Sequence, residues 1–155
     1  MLDPDLIERI RTIFLQEGAN VSISDATVLF GWSRRRMKNA VDAGEIETIV
    51  TRSGEAIVHE EVMAIAVDLW SLETVEEALG PDASRVLPEA IRTRELPARL
   101  PGYQVAMLEY FAEQRQTNVS NVLARELEDF ASAHFEELSS SVHGFAEAFV
   151  WPLKT

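Results

Sequence analysis

The sequence contains no cysteine, and its three histidines, His59, His134 and His143, stand far apart along 155 residues. A disulfide framework is therefore excluded, and with it a zinc site built on thiolates. Long apolar runs are missing as well. Nothing approaches the roughly 18 residues of a membrane span, and the acidic start Met1-Leu2-Asp3-Pro4-Asp5 lacks the basic opening of a secretory signal. A cytoplasmic protein without a membrane partner is expected. There is no glycine-rich phosphate loop, no metal-ligand spacing and no convergent nucleophile, base and carboxylate, so neither an enzyme nor a cofactor is expected. His134 and His143 would not share a helix face with suitable carboxylates, and each reads as a solvated or core histidine.

Cations are also scarce: 14 Lys and Arg stand against 26 Asp and Glu, for a formal net charge of -12. An acidic body repels nucleic acid, so any contact with it must come from local concentration of charge. The distribution is uneven. Residues 59–91 carry eight acidic side chains and one arginine, whereas residues 21–58 and 92–128 each carry five acidic and five basic ones. Within the two neutral stretches the cations cluster, as Arg34, Arg35, Arg36 and Lys38 in the first and Arg92, Arg94 and Arg99 in the second.

What is present is enough apolar material, 46% of the residues, to bury one medium core or two very small ones. Asp3 and Pro4 open an amphipathic helix through Leu6, Ile7, Ile10, Ile13 and Phe14, which Gly18 stops. Ser24 caps a short helix holding Ala26, Leu29 and Phe30, Gly31 turns the chain, and Ser33 caps a second helix to about Gly44. The β-rich pieces Ile46 to Thr51 and Ala56 to Val58 flank Arg52-Ser53-Gly54-Glu55 as a hairpin. Another amphipathic helix runs from His59 to about Trp70, and Ser71 caps a shorter one ending at Gly80-Pro81. Residues 80–94, with Pro81 and Pro88, read as a linker carrying a short helical piece near Ala83 to Leu87. Thr93 to Leu100 reads as extended, Pro101 opens a helix through Val105, Met107, Leu108 and Phe111, and a second helix carries Val119, Val122, Leu123, Leu127 and Phe130 on one face. The tail continues as helix through Phe135, Leu138, Val142, Phe145 and Phe149.

The run Ile23-Ser24-Asp25-Ala26-Thr27-Val28-Leu29-Phe30-Gly31-Trp32-Ser33, followed by Gly44-Glu45-Ile46 and a hairpin, resembles the winged helix-turn-helix of the MerR and excisionase-like families over about residues 21 to 70. That resemblance implies that the helix opening at Ser33 is a recognition helix. Its N-terminal amides would hold a phosphate while Arg34, Arg35, Arg36, Lys38 and Asn39 reach phosphates or base edges, and Arg52 at the wing tip would touch the backbone or minor groove. Successive residues step around a helix, so the three arginines cannot all face one groove. Arg35 or Arg36 is expected to serve only as a solvent or phosphate contact. Trp32, beside Gly31 in the turn, reads as core rather than as a base-stacking residue.

The run Arg94-Glu95-Leu96-Pro97-Ala98-Arg99-Leu100-Pro101, with helices at 102–114 and 119–131, resembles the ribbon-helix-helix family over about forty residues. One short strand and two helices cannot enclose their own apolar faces, which favours a homodimer. The resemblance implies that Glu95, Pro97 and Arg99 occupy groove positions, with Arg94 beside them, and that Val119 and Ser120 present helix amides to phosphate. Glu95 repels phosphate and Pro97 offers no donor, so Arg99 alone has the chemistry of a reader, and DNA contact and pure dimerisation both stay open for this unit.

The expected architecture is therefore mainly α: a winged helix-turn-helix domain at 1–80, a linker at 81–92, a ribbon-helix-helix at 93–131 and a helical tail at 132–155. The expected function is a homodimeric transcriptional regulator that binds double-stranded DNA sequence-specifically, with helix 33–43 in the major groove. The rival is an antitoxin-like or scaffold protein whose C-terminal helix, through Phe135, Phe145, Phe149 and Trp151, grips a protein partner while DNA binding is secondary or lost.

Overall fold

A computed structural model describes residues 1–153, and within them the chain is mainly helical with one small antiparallel sheet. It divides into two compact units, one formed by Met1–Thr93 together with the segment from Val150 onward, the other by Arg94–Phe149.

In the first unit, α1 (Pro4–Leu15) starts where the Asp3 carboxylate accepts the Asp5 amide and Pro4 supplies a fixed φ. Ile10, Ile13 and Phe14 form its buried face. The strand β1 (Asn20–Ser22) follows, and Ser22, not Ser24, caps α2 (Ile23–Phe30) by accepting the Asp25 amide. Both serines suit the role. Placing the start at Ile23 lets Ala26, Thr27 and Phe30 share the buried face. Gly31, left-handed at φ 71°, ends α2, and Ser33 caps α3 (Arg34–Asp42), accepting the Arg36 amide at 3.1 Å. The hairpin strands β2 (Ile49–Thr51) and β3 (Gly54–Val58) meet across a two-residue turn, Arg52-Ser53.

The sheet order is β1-β3-β2, with Val21 opposite Ile57 and Val50 opposite Glu55. Ile46, expected in the first hairpin strand, is instead a core residue three positions ahead of β2. Next come α4 (His59–Trp70) and α5 (Leu72–Leu79), the latter capped by the Ser71 hydroxyl. His59 ties α4 to the end of α1: its Nε2 lies 2.6 Å from the Ile13 carbonyl, which can only accept, so that nitrogen carries the proton. Ile10, Ile13, Ile57, Val62, Val75 and Leu79 are fully enclosed in one core.

The stretch 81–92 is not a free linker. After a 3-10 turn at Gly80–Asp82 and the single turn α6 (Ala83–Val86), Leu87 is only 2% exposed and belongs to the same core, with Ala83, Val86 and Ile91 packed against it. The prolines read as punctuation, but they bracket an apolar i, i+4 spacing that the core covers. Glu76 then accepts from both the amide and the hydroxyl of Thr93, fixing the end of this segment.

Residues 93–100, which lead from the first unit into the second, form no strand and are all exposed. A lone extended segment has no ladder to join within one chain, so the expected ribbon has no intrachain form. Helices α7 (Gly102–Gln114) and α8 (Val119–Ala133) pair through a small core of Leu108, Ala112 and Val122, with Val119 against it. Asn118 caps α8 by accepting the Asn121 amide at 2.8 Å. The tail is not one continuous helix: α9 (Phe135–Ser141) and α10 (Phe145–Val150) are separated by Val142-His143-Gly144, with Gly144 at φ 78°. Phe135, Phe145 and Phe149 pack on one another with centroids 5.4–6.0 Å apart. Trp151 rejoins the first unit's core.

Candidate nucleic-acid interface

The N-terminal cation cluster is assembled on α3. Met37 and Ala40 are buried and Val41 is half-buried, which anchors one face of the helix in the core, while Arg34, Arg35, Arg36, Lys38 and Asn39 are all exposed. The periodicity explains the split, because positions 37, 40 and 41 repeat at the 3–4 spacing of one helix face and the polar residues fill the rest. No salt bridge to Arg34, Arg35, Arg36 or Lys38 occurs among the described residues. Their charge is thus available to an external anion.

Two grooves flank the helix. On one side Arg34 and Lys38 share a groove with Ser24, Val28 and the acidic Asp25, Asp42 and Glu55. On the other, Arg35, Arg36 and Asn39 border a groove floored by Ile65 and Leu69, with Glu45 and Asp68 at its edge. Carboxylates frame the cluster at these edges. Val28, an aliphatic side chain 70% exposed on α2, is a member of the first groove that helical periodicity alone did not single out. Its sequence signal is weak, since a valine between Thr27 and Leu29 reads equally well as core.

Trp32 supports this surface from beneath. Its ring stacks tilted against Phe30 at 5.0 Å, its indole Nε1 is buried with no hydrogen-bond partner among the described residues, and the Arg36 guanidinium lies over it, 4.4 Å from the ring centroid. Trp32 is partly buried against the core, borders both grooves and lies under one arginine. Arg52 occupies the exposed β2–β3 turn, where the Thr51 hydroxyl accepts the Ser53 amide and donates to the Gly54 carbonyl. The hairpin tip is therefore locally ordered.

The other predicted contacts belong to the second unit. Arg94 and Arg99 lie in the exposed segment before α7, together with Glu95 and Pro97. Ser120 is exposed in the first turn of α8, but Val119 packs on the small core, so its side chain serves the helix pair and only its amide is left for the expected phosphate role.

Among the described residues no group of three or more His, Asp or Glu is placed to hold a metal ion, and no helix is long and apolar enough to cross a membrane. Comparisons of the chain with protein-family models, with curated proteins and with solved structures found no match.

Proposed function

We propose that this chain is a double-stranded-DNA-binding transcriptional regulator that acts as a homodimer, with α3 as the helix that enters the major groove. The observation that carries the reading is the exposed cation cluster, without an ion pair among the described residues, on a helix anchored in the core by Met37 and Ala40. A helix presented this way offers N-terminal amides and four positive side chains to phosphate, which is the electrostatic requirement for DNA. The element order α1-β1-α2-α3-β2-β3, the Gly31–Ser33 turn between α2 and α3, and the sheet order β1-β3-β2 support a winged helix-turn-helix, in which the β2–β3 hairpin is the wing.

The homodimer rests on the second unit, read as a ribbon-helix-helix. Tyr103, Met107 and Tyr110 on α7, and Leu123, Leu127 and Phe130 on α8, each repeat at i, i+4, i+7 and are all exposed, Tyr103 by 72% and Phe130 by 59%. Two helices that bury one stripe against each other and leave a second stripe open lack a partner surface. A second copy pairing residues 93–100 strand to strand would supply it. The rival reading, a protein partner on the C-terminal aromatics, has less support, because Phe135, Phe145 and Phe149 already pack on one another and Trp151 on the first unit's core.

Gel retardation of random-sequence duplex at low salt tests the function. Wild type should retard DNA, with affinity falling steeply as salt rises, and Arg34→Ala with Lys38→Ala should weaken binding and flatten that salt dependence by roughly one unit of slope per residue. Absence of retardation at micromolar wild-type protein would overturn the reading.

A further inference from the structure

We propose that Arg35 and Asn39 are the base-reading side chains of α3, and that Arg34, Lys38 and Arg36 hold the phosphate backbone on its two flanks; this rests on the DNA-binding reading above. The helix geometry divides the roles. At roughly 100° per residue, the buried Met37, Ala40 and half-buried Val41 define the inward direction, and Arg35 and Asn39 fall within about 30° of the direction opposite to it. By this periodicity they lie on the outward side of α3, and both also border the groove over Ile65 and Leu69 that Arg36 lines. Arg34 and Lys38, also four residues apart, lie on the flank facing Ser24 and Val28. Arg36 lies on the other flank, where its guanidinium rests on the Trp32 ring.

Stacking decides the part that Arg36 plays. A guanidinium lying over an indole, 4.4 Å from its centroid, keeps its outer donors but is drawn away from extending into a groove to align with a base. It suits a backbone oxygen. Arg35 makes no such ring contact among the described residues, so of the two neighbouring arginines it is the one free to read a base.

The chemistry of the outward pair names the site it prefers. Arginine matches O6 and N7 of guanine with two hydrogen bonds, and asparagine matches N6 and N7 of adenine. Four residues of helix span about 6 Å, against about 3.4 Å per base step, so the two readers address bases one to two steps apart. The preferred duplex therefore contains a guanine and an adenine within two base pairs of each other in each half-site.

The test is selection from a randomised duplex library by the full-length protein, followed by titration of the selected site. Wild type should enrich the guanine and adenine pair. Asn39→Ala should erase the adenine preference, and Arg35→Gln should replace the guanine preference with adenine, because a glutamine amide matches adenine. Each matched pair is worth about 5- to 160-fold in discrimination. A switched preference cannot arise from misfolding. Arg36→Ala and Arg34→Ala should lower affinity for all sequences alike. If wild type binds duplex but Arg35→Gln and Asn39→Ala select the wild-type motif, or Arg36→Ala changes it, the assignment falls while DNA binding stands. If wild type binds no duplex, both fall together.

Discussion

Arg11 and Asp82 join the middle of α1 to the turn that follows α5: the guanidinium meets the carboxylate at 2.5 Å and also donates to the Leu79 carbonyl at 2.8 Å. The arginine thereby caps the C-terminal end of α5 and fixes the chain as it leaves toward Leu87. Hydrogen bonds from Arg11 and then Arg85 hold the Asp82 carboxyl below its ordinary value of 3.8. Because folding favours the ionised form, the contribution is complete above that value and is lost as pH falls through the lower folded one. Asp82→Asn should lower the melting temperature at pH 6, and the gap from wild type should close in melts recorded below about pH 3.8. A gap that does not narrow as pH falls from 6 through 3.8 and below would refute the pairing.

Glu61 works in the opposite sense. Burial, and then the nearby charge of Glu47, raises its carboxyl above the ordinary 4.5. Folding therefore disfavours the ionised form, and the cost grows as pH climbs above 4.5. Glu61→Gln should raise the melting temperature at pH 7 and change it little at pH 4. Equal melting temperatures at pH 7 would contradict it.

Trp32 carries a buried N–H that makes no hydrogen bond among the described residues, so its value to the fold is apolar contact with Phe30 and the core around it. Trp32→Phe keeps that contact and removes a desolvated donor, and stability should change by less than about 1 kcal/mol in urea unfolding. Trp32→Ala should cost about 2–3 kcal/mol, below the figure for a fully buried ring because Trp32 is half-exposed. A large loss for the phenylalanine variant would mean that the indole N–H has a partner.

The helices were legible because their signals are local. Asp3, Ser33 and Ser71 each precede an apolar repeat, and each caps the helix it announces. The strand Asn20–Ser22 was not legible: three residues cannot show an alternation, and its pairing with β3 is a contact across more than thirty positions. The burial of Leu87 was not legible for a related reason, since it is decided by distant core residues and not by the prolines beside it. At the site, the cation cluster is plain in the sequence. The separate fates of Arg35 and Arg36 were not, because they depend on where Met37 and Ala40 are buried and on Trp32 lying under only one of the two.

The open stripes on α7 and α8 predict the oligomeric state. If half of each of the six side chains is buried on pairing, each gives about 1 kcal/mol, or about 12 kcal/mol over two subunits, within the range of about 4–15 kcal/mol that association costs. Strand pairing of residues 93–100 then tips the balance. Wild type should sediment as a dimer at tens of micromolar, and Leu127→Glu with Phe130→Glu should give a monomer of unchanged helicity, because both side chains are exposed in one chain. A wild-type monomer at that concentration would remove the dimer from the proposal.

Gly31 sets the angle at which α3 leaves α2, and its tolerance can be forecast from two facts. Its φ of 71° is left-handed, and a Cβ added there would stand 2.9 Å from Nη1 of Arg9, the same atom that donates to the Leu29 carbonyl at 3.0 Å. Gly31→Ala therefore meets backbone strain of about 1–2 kcal/mol and pushes on a hydrogen bond worth about 1 kcal/mol. The total should be about 2–3 kcal/mol in urea unfolding, with DNA affinity reduced as α3 shifts. Combining it with Arg9→Ala separates the two causes: the steric part should vanish against the Arg9→Ala background, leaving the strain alone. If Gly31→Ala costs nothing, the turn between α2 and α3 is not held in the left-handed conformation, and the presentation of Arg35 and Asn39 loses its foundation.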